Sequence, residues 1–385
     1  MLQKRPNVAA AWPDRRLLDL LGITLPIIQA PMAGANGLEM PLAVAQAGGL
    51  GSLACAPLDA SGLRKLLRAV RDRYVGPLNI NFFAHAEPQN EPERESSWLH
   101  GLSPYYRELG IRSPGSLTAG RIQPFDAERC EVVEEFAPTV VSFHFGLPEA
   151  SLVARLKAAG SLIMSSATTV EEARWLAGNG CDVVIAQGIE AGGHRGMFLA
   201  DDINSQMGTM SLVPQVADAV NVPVVAAGGI ADGRGIASAF ALGACGVQIG
   251  TAYLFTPEAT ISDVYRDSLH KVALHQTALT NVFSGRLTRT LVNRFVTQLG
   301  PITDTAPSFP KGFPAMQPLR AEAESKGSRD FSAHYCGQSA GLGFLTTARR
   351  LTHYLAIDAQ RRMSWMGSML SRCKLLEQPF LADTE

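Results

Sequence analysis

Residues 223–254 read PVVAAGGIADGRGIASAFALGACGVQIGTAYL. An apolar run ends in two glycines, an amphipathic stretch follows, and a second apolar run ends in Gly-Thr. This order is typical of a βαβ unit, in which two parallel strands are joined by a helix. We predict strands at residues 223–227 and 246–254, with a helix at 234–241 between them.

The same alternation extends back to the start of the chain. Apolar, β-branched runs predict further strands at residues 26–31, 49–55, 78–83, 139–145, 162–167 and 182–187. Helices are predicted between them at residues 38–46, 63–71, 149–159 and 170–178. Eight strand–helix units within about 255 residues favour an α/β fold closed into a (β/α)₈ TIM barrel. A doubly wound open sheet is the main alternative.

Two segments interrupt this rhythm. Residues 84–124 are too long for a simple turn, so we predict a lid-like insertion after the third strand, in which Tyr105 and Tyr106 are candidates for lining a pocket. Residues 257–314 lose the strand pattern, and the helical character of 258–278 predicts a small inserted helical domain. Residues 15–256 and 315–385 would then form the barrel and its C-terminal completion.

Composition restricts the classes of partner. With 34 basic and 35 acidic residues in 385, the chain carries no basic excess of the kind that nucleic-acid or anionic-membrane binding requires. The cysteines show no metal-ligand spacing, so we expect no metal site, and their apolar surroundings predict buried thiols. The N-terminus has no signal-peptide pattern and no membrane span is evident, so a cytoplasmic location is expected. The six cysteines are Cys55, Cys130, Cys181, Cys245, Cys336 and Cys373.

The active site of a TIM barrel lies at the carboxyl ends of its strands. The last two predicted strands end at Gly228 and Gly229 and at Gly250 and Thr251, where backbone N–H groups could bind a phosphate. The loop 186–196, AQGIEAGGHRG, follows the sixth strand and could hold a planar heterocycle. Arg195 in this loop is expected to be solvated.

Two histidines are candidate functional residues. His144 ends the fourth strand in VVSFHFG and would stand at the mouth of the barrel if it faces inward. An imidazole there can act as a base or, when protonated, stabilise an anion. For His194, a contact with that planar heterocycle, a contact that orders the loop, and a structural role remain open.

Seven ordered motifs resemble the class I nitronate monooxygenases, formerly called 2-nitropropane dioxygenases. They are PIIQAPMAG (26–34), SFHFG (142–146), AQGIEAGGHRG (186–196), PVVAAGGIADGRG (223–235), VQIGTAYL (247–254), FSGRLTRTLVNRF (283–295) and CGQSAGL (336–342). The resemblance implies that the barrel binds FMN, that 257–314 is a substrate domain and that His144 is the catalytic residue. The positions that it implies for FMN contacts are Ala30, Pro31, Met32, Asn81, Gln187, Gly192, Gly193, Gly228, Gly229, Gln248, Ile249, Gly250 and Thr251.

The activity implied is oxidation of an alkyl nitronate, such as propionate 3-nitronate, by O₂ to a carbonyl compound and nitrite. The partners would be that small molecule and O₂, with a homodimer as a further possibility. One alternative is an FMN-dependent NAD(P)H reductase of quinones or enoyl-ACP, because such enzymes share this scaffold. A second is a flavin-binding sensor without turnover.

Overall fold

The computed structural model describes residues 12–117, 120, 122–271 and 276–370. Cys373 and the rest of the predicted C-terminal completion beyond residue 370 lie outside these residues, as does the N-terminal stretch examined for a signal peptide. The other five cysteines are buried with free thiols, as predicted.

The strands fall into two sheets. Eight parallel strands follow the order β1-β9-β8-β6-β5-β4-β3-β2, and a backbone bridge between Ile28 and Leu50 joins β1 to β2, so the sheet closes on itself. The other three strands form a small antiparallel sheet in the order β10-β11-β7. The strands are β1 (Ile27–Gln29), β2 (Gly51–Ala54), β3 (Leu78–Phe83), β4 (Val140–His144), β5 (Leu162–Ala167), β6 (Val183–Gln187), β7 (Gly193–His194), β8 (Val224–Ala227), β9 (Gly246–Ile249), β10 (Thr277–Thr280) and β11 (Thr288–Leu291).

The larger sheet confirms the predicted TIM barrel. Its strands are short and apolar, and side chains such as Val184, Val225 and Val247 are fully buried, as expected for strands covered on both faces. At Gly51 the backbone of Pro41 comes so close that a Cβ would lie 2.0 Å from its carbonyl oxygen. Glycine therefore permits the helix Glu39–Gln46 to pack directly on β2.

Helices connect the strands and cover the barrel. Side-chain caps fix several helix starts: Asp59, Thr169 and Asp232 accept hydrogen bonds from the first turns of the helices that follow them. The last helix packs on the helix that follows Asp232, where Asp358 accepts a hydrogen bond from the Gly233 N–H. The helices are α1 (Arg16–Leu21), α2 (Glu39–Gln46), α3 (Ala60–Arg71), α4 (Pro92–Leu109), α5 (Ala127–Phe136), α6 (Ala150–Ala158), α7 (Val170–Gly178), α8 (Thr209–Ala219), α9 (Gly233–Ala241), α10 (Asp263–His270), α11 (Arg294–Leu299), α12 (Gly312–Ser325) and α13 (Ala348–Leu370).

Two predicted elements need correction. The strand predicted at 246–254 ends at Ile249, and a 3₁₀ helix, Thr251–Phe255, follows because the chain turns off the barrel edge at Gly250. The segment 257–314 is not purely helical, since β10 and β11 lie within it. β11 depends on long-range pairing with β7, which no local pattern reveals, and β10 pairs with β11.

A separate hydrophobic core lies beside the barrel. It combines Trp98 and Tyr106 of α4 with Phe283, Phe295 and Met316 from the later segments. The insertion after β3 and the segment around 283–331 therefore pack as one covering unit. The predicted boundary between residues 314 and 315 falls inside α12.

Tyr105 and Tyr106 belong to this core and do not line the cavity described below. Both side chains are buried, and the Tyr106 hydroxyl donates to the carbonyl of Ala315. These residues tie α4 to α12. Within the described residues, no helix has the length and apolar character needed to cross a bilayer.

Candidate active site

A cavity of about 890 Å³ lies between the carboxyl ends of the barrel strands and the covering unit. It is near the upper end of the range typical of small-molecule sites, roughly 300–1,000 Å³. Of the thirteen positions predicted to contact a cofactor, all but Ile249 line it. The Ile249 side chain is buried in the barrel core because strand alternation directs its neighbour Gln248 to the cavity instead.

Glycines form part of the cavity floor. Gly193, with φ +79°, has open space where a Cβ would be, since no protein atom would lie within 4 Å of it. A side chain here would occupy the cavity itself. Gly228 and Gly229 also have positive φ, of +107° and +70°. The floor therefore suits a ligand that approaches the backbone closely.

Three side-chain amides that line the cavity differ in which of their atoms are not already hydrogen-bonded to protein. The Gln248 amide makes no hydrogen bond to a described residue, and Asn81 uses only its Nδ2, which donates to the Ser142 Oγ at 2.9 Å. Gln187 is engaged at both ends: its Nε2 donates to the His194 carbonyl and its Oε1 accepts from the Gly196 N–H. Gln248 and Asn81 can therefore bind a heterocycle, whereas Gln187 holds the loop.

His144 lies at the cavity wall, as predicted, but both of its ring nitrogens bond to protein. Nε2 donates to the carbonyl of His194 at 3.1 Å, so Nδ1 accepts from the Ser166 hydroxyl at 2.5 Å. Burial lowers the pKa of His144 to about 3. The ring is therefore neutral at physiological pH and has no free nitrogen.

His194 has a free ring nitrogen. Its Nε2 lies 3.0 Å from the Ser284 Oγ, and its Nδ1 has no hydrogen-bond partner among the described residues although the ring lines the cavity. The rings of Phe83, Phe313 and Tyr335 surround it at 5.5–6.3 Å between centroids. Burial holds the pKa of His194 well below 6.5.

The Ser284 hydroxyl has one proton and two acceptors in reach, the His194 Nε2 and the Arg286 carbonyl at 3.2 Å. When the proton points to Arg286, His194 carries its own proton on Nε2 and offers a lone pair at Nδ1. When it points to His194, the imidazole carries its proton on Nδ1 and can donate there. The His194 Nδ1 can therefore either donate a hydrogen bond to a ligand in the cavity or accept one from it.

Arg195 is buried rather than solvated, which corrects the sequence-based expectation. Its guanidinium donates to the carbonyls of Gly188 and Gln187 and to the Gln206 Oε1. These acceptors come together only when the loop folds back on β6, so a loop position alone gave no signal. Ser166 and Ser284, which bond the two histidines, were likewise missed because nothing local marks them.

The loop after β6 connects the barrel to the small antiparallel sheet. It leaves the barrel at Gln187 and then contributes Gly193 and His194 as β7 to the small sheet, where they pair with Arg289 and Thr288. This pairing fixes the backbone of His194 from the side of the covering unit. Across the described ranges, no group of three His, Cys, Asp or Glu side chains is placed to hold a metal ion.

A closed eight-stranded barrel with a ligand-sized, glycine-floored cavity at its carboxyl edge defines an α/β-barrel protein with a small-molecule site. The chain belongs to the nitronate monooxygenase family: the family's sequence profile matches residues 14–355. This confirms the family predicted from the seven motifs, and the protein is an oxidoreductase.

Similar proteins agree with this assignment. The chain is 42% identical to a nitronate monooxygenase of Paraburkholderia phytofirmans, over 89% of this chain and 94% of that one. It is also 42% identical to a nitronate monooxygenase of Pseudomonas aeruginosa, over 85% and 94%. A solved structure of nitroalkane oxidase from Streptomyces ansochromogenes superposes with a TM-score of 0.83 at 37% identity, covering 91% of this chain and 99% of that one.

Proposed function

We propose that this protein oxidises alkyl nitronates, such as propionate 3-nitronate, with FMN as cofactor and O₂ as oxidant, giving a carbonyl compound and nitrite. One observation carries the proposal: an imidazole with a free nitrogen, His194, faces a glycine-floored cavity in a chain of the nitronate monooxygenase family. The names of its relatives support the same reaction class.

The cavity residues fit FMN. The backbone at Gly229, Gly250 and Thr251 would take the phosphate, and the free Gln248 amide and the Asn81 Oδ1 would bond the ring system. The open space at Gly193 would admit the flat ring. Bound FMN would supply the electron transfer that no side chain can perform.

We assign different roles to the two histidines. The prediction that His144 meets the substrate requires its ring to abandon the Ser166 or the His194 contact. We therefore propose His194 as the catalytic imidazole and His144 as its positioning residue. With a proton on Nδ1, His194 would donate a hydrogen bond to an anionic nitronate; with a lone pair there, it would accept the α-proton of a neutral nitroalkane.

The covering unit would enclose the substrate. Phe313, Met316 and Phe331 face the cavity from this unit and present an apolar wall opposite the barrel. A wall of this kind excludes water from the reacting groups. A cytoplasmic location and a homodimer remain predictions.

Anaerobic mixing tests the reaction. The purified protein should show flavin absorbance, which propionate 3-nitronate should bleach and O₂ restore with release of nitrite. NADH should leave the absorbance unchanged. Rapid bleaching by NADH would instead indicate the reductase, and no response to either compound would indicate a flavin-binding protein without turnover.

A further inference from the structure

Three arginines lie in or beside the loop after β6. We call them the arginine cluster: Arg195, Arg286 and Arg289. All of the acceptors that their hydrogen bonds reach are neutral: backbone carbonyls, the Gln206 amide and the Thr277 hydroxyl. Within the described residues, no ion pair joins any of the three to a carboxylate. A buried charge without a counter-ion is costly to maintain, so its position invites a functional explanation.

Arg286 is the member of the arginine cluster that faces the histidines. Its guanidinium carbon lies 4.1 Å from the centre of the Phe145 ring, and that ring lies 4.5 Å from the ring of His144 and 5.9 Å from that of His194. One terminal nitrogen donates to the Met197 carbonyl. Its Nε is buried and has no hydrogen-bond partner among the described residues.

Two acidic groups, Glu172 and Asp201, act on Arg286 without forming an ion pair with it. Glu172 is buried but accepts hydrogen bonds from the Phe198 and Leu199 N–H groups and from Thr168. Asp201 is exposed to solvent. Both carboxylates act on Arg286 at a distance without contacting it. No carboxylate among the described residues pairs with Arg286, so its guanidinium charge acts on the Phe145 ring and, beyond it, on His144 and His194.

The histidines cannot supply that field. Burial lowers the pKa of His144 to about 3 and that of His194 well below 6.5, so both rings are neutral when the protein works near pH 7. His85, which also lies near Arg286, has a pKa lowered to about 4 by burial. An arginine remains charged at any physiological pH. Arg286 is thus a permanent cation that acts on all three imidazoles.

We propose that Arg286 supplies the positive potential by which this cavity selects anions: the nitronate over the neutral nitroalkane of the same carbon skeleton, and nitrite as the product. The inference rests on the proposed function for its substrate pair, although the preference for anions can be tested without turnover. Arg286 acts through space across the Phe145 ring and is not a catalytic residue. A unit charge about 8–10 Å from the anion, at an effective dielectric constant of about 20, corresponds to roughly 15- to 35-fold in affinity, and screening by solvent ions reduces this towards tenfold.

The test is calorimetric titration of the purified protein with nitrite and, separately, with nitroethane. Arg286→Met should weaken nitrite binding about tenfold and leave nitroethane binding unchanged, whereas Arg286→Lys should retain most of the nitrite affinity. Arg289→Met is the matched control, since it removes a buried guanidinium from the same segment that bonds Ile189 and Thr277 instead of lying over Phe145. Equal losses in Arg286→Met and Arg289→Met, or unchanged nitrite affinity in Arg286→Met, would overturn the inference.

Unmodified protein supplies a second measurement if Arg286→Met does not fold. It should bind nitrite at least tenfold more tightly than nitroethane, and equal affinities would contradict the inference. With turnover, the ratio of kcat/KM for ethyl nitronate to that for nitroethane should fall about tenfold in Arg286→Met. A protein that binds nitrite as expected but oxidises neither compound would overturn the proposed reaction and leave the role of Arg286 standing.

Discussion

The Nε2 atom of His144 lies 3.1 Å from the carbonyl oxygen of His194, so one active-site histidine holds the backbone of the other. Gln187 donates to the same carbonyl at 3.0 Å. Two donors on one oxygen leave the peptide little freedom to rotate. The direction of the His194 ring is therefore set from the barrel, by side chains at the ends of β4 and β6.

Replacing His194 tests which imidazole meets the substrate. We expect His194→Asn to keep its flavin but to lower kcat/KM for a neutral nitroalkane by about 10²–10⁴, the usual contribution of a general base. The loss for the preformed nitronate should be smaller because no proton has to be removed. Steady-state oxygen consumption with both substrates measures this, and equal losses would contradict the assignment of a base.

Replacing His144 tests the positioning role. His144→Leu removes the hydrogen bond to the His194 carbonyl, and we expect kcat to fall with little change in flavin content. His144→Gln can place an N–H near the lost Nε2, so it should recover part of kcat. A purely structural role would lower thermal stability equally in both variants without this recovery.

Gly193 tests the flavin site. Alanine here would project its methyl group into open cavity space, so we expect Gly193→Ala to weaken FMN binding at least tenfold. Gly160 is a matched control because its φ is +90° and a Cβ there also meets no protein atom within 4 Å. Both variants carry a similar backbone cost of about 1–2 kcal/mol, but Gly160→Ala should retain its flavin. Fluorescence titration with FMN compares them.

Buried histidines should make the fold sensitive to acid. Burial lowers the pKa of His85 and of His334 to about 4, whereas an unfolded histidine titrates near 6.5. Between these values only the unfolded chain binds the proton, so the free energy of unfolding falls as the pH drops below about 6.5. Each such histidine contributes a slope of up to about 1.4 kcal/mol per pH unit. Urea unfolding at pH 5 to 8 measures it.

His85→Leu isolates one of these contributions. Neither ring nitrogen of His85 has a hydrogen-bond partner among the described residues, so leucine should be at least as stable at pH 7 and should reduce the acid slope. His334→Leu is the contrast, because His334 bonds the Ser268 Oγ at 3.2 Å and stacks on Tyr265. It should lower stability at pH 7. A loss of stability in His85→Leu would show an unrecognised partner for that ring.

The barrel could be predicted because a local sequence pattern marks each of its strands. Runs such as VVIAQ at Val183–Gln187 are apolar, short and bounded by turns, and every predicted barrel strand overlaps an observed one. The covering unit could not be predicted in the same way. β11 pairs with Gly193 and His194, which lie far earlier in the chain, and β10 pairs in turn with β11.

The residues of the candidate site likewise divide into those that the sequence could predict and those that it could not. Glycines and amides at strand ends could be assigned to a cavity because topology brings all carboxyl ends together. The roles of His144 and His194 depend on Ser166 and Ser284, whose proximity only the folded chain reveals. The burial of Arg195 likewise depends on where two carbonyls point.

The pairing of β7 with β11 has a consequence for how such a protein can diversify. His194 pairs with the covering unit through β11, but its carbonyl accepts hydrogen bonds from His144 and Gln187 of the barrel. Grafting the covering unit from one family member to another would exchange the first contact and leave the barrel contacts unchanged. Substrate range and chemistry in this architecture should therefore change together, through coordinated substitutions, rather than by exchange of one module.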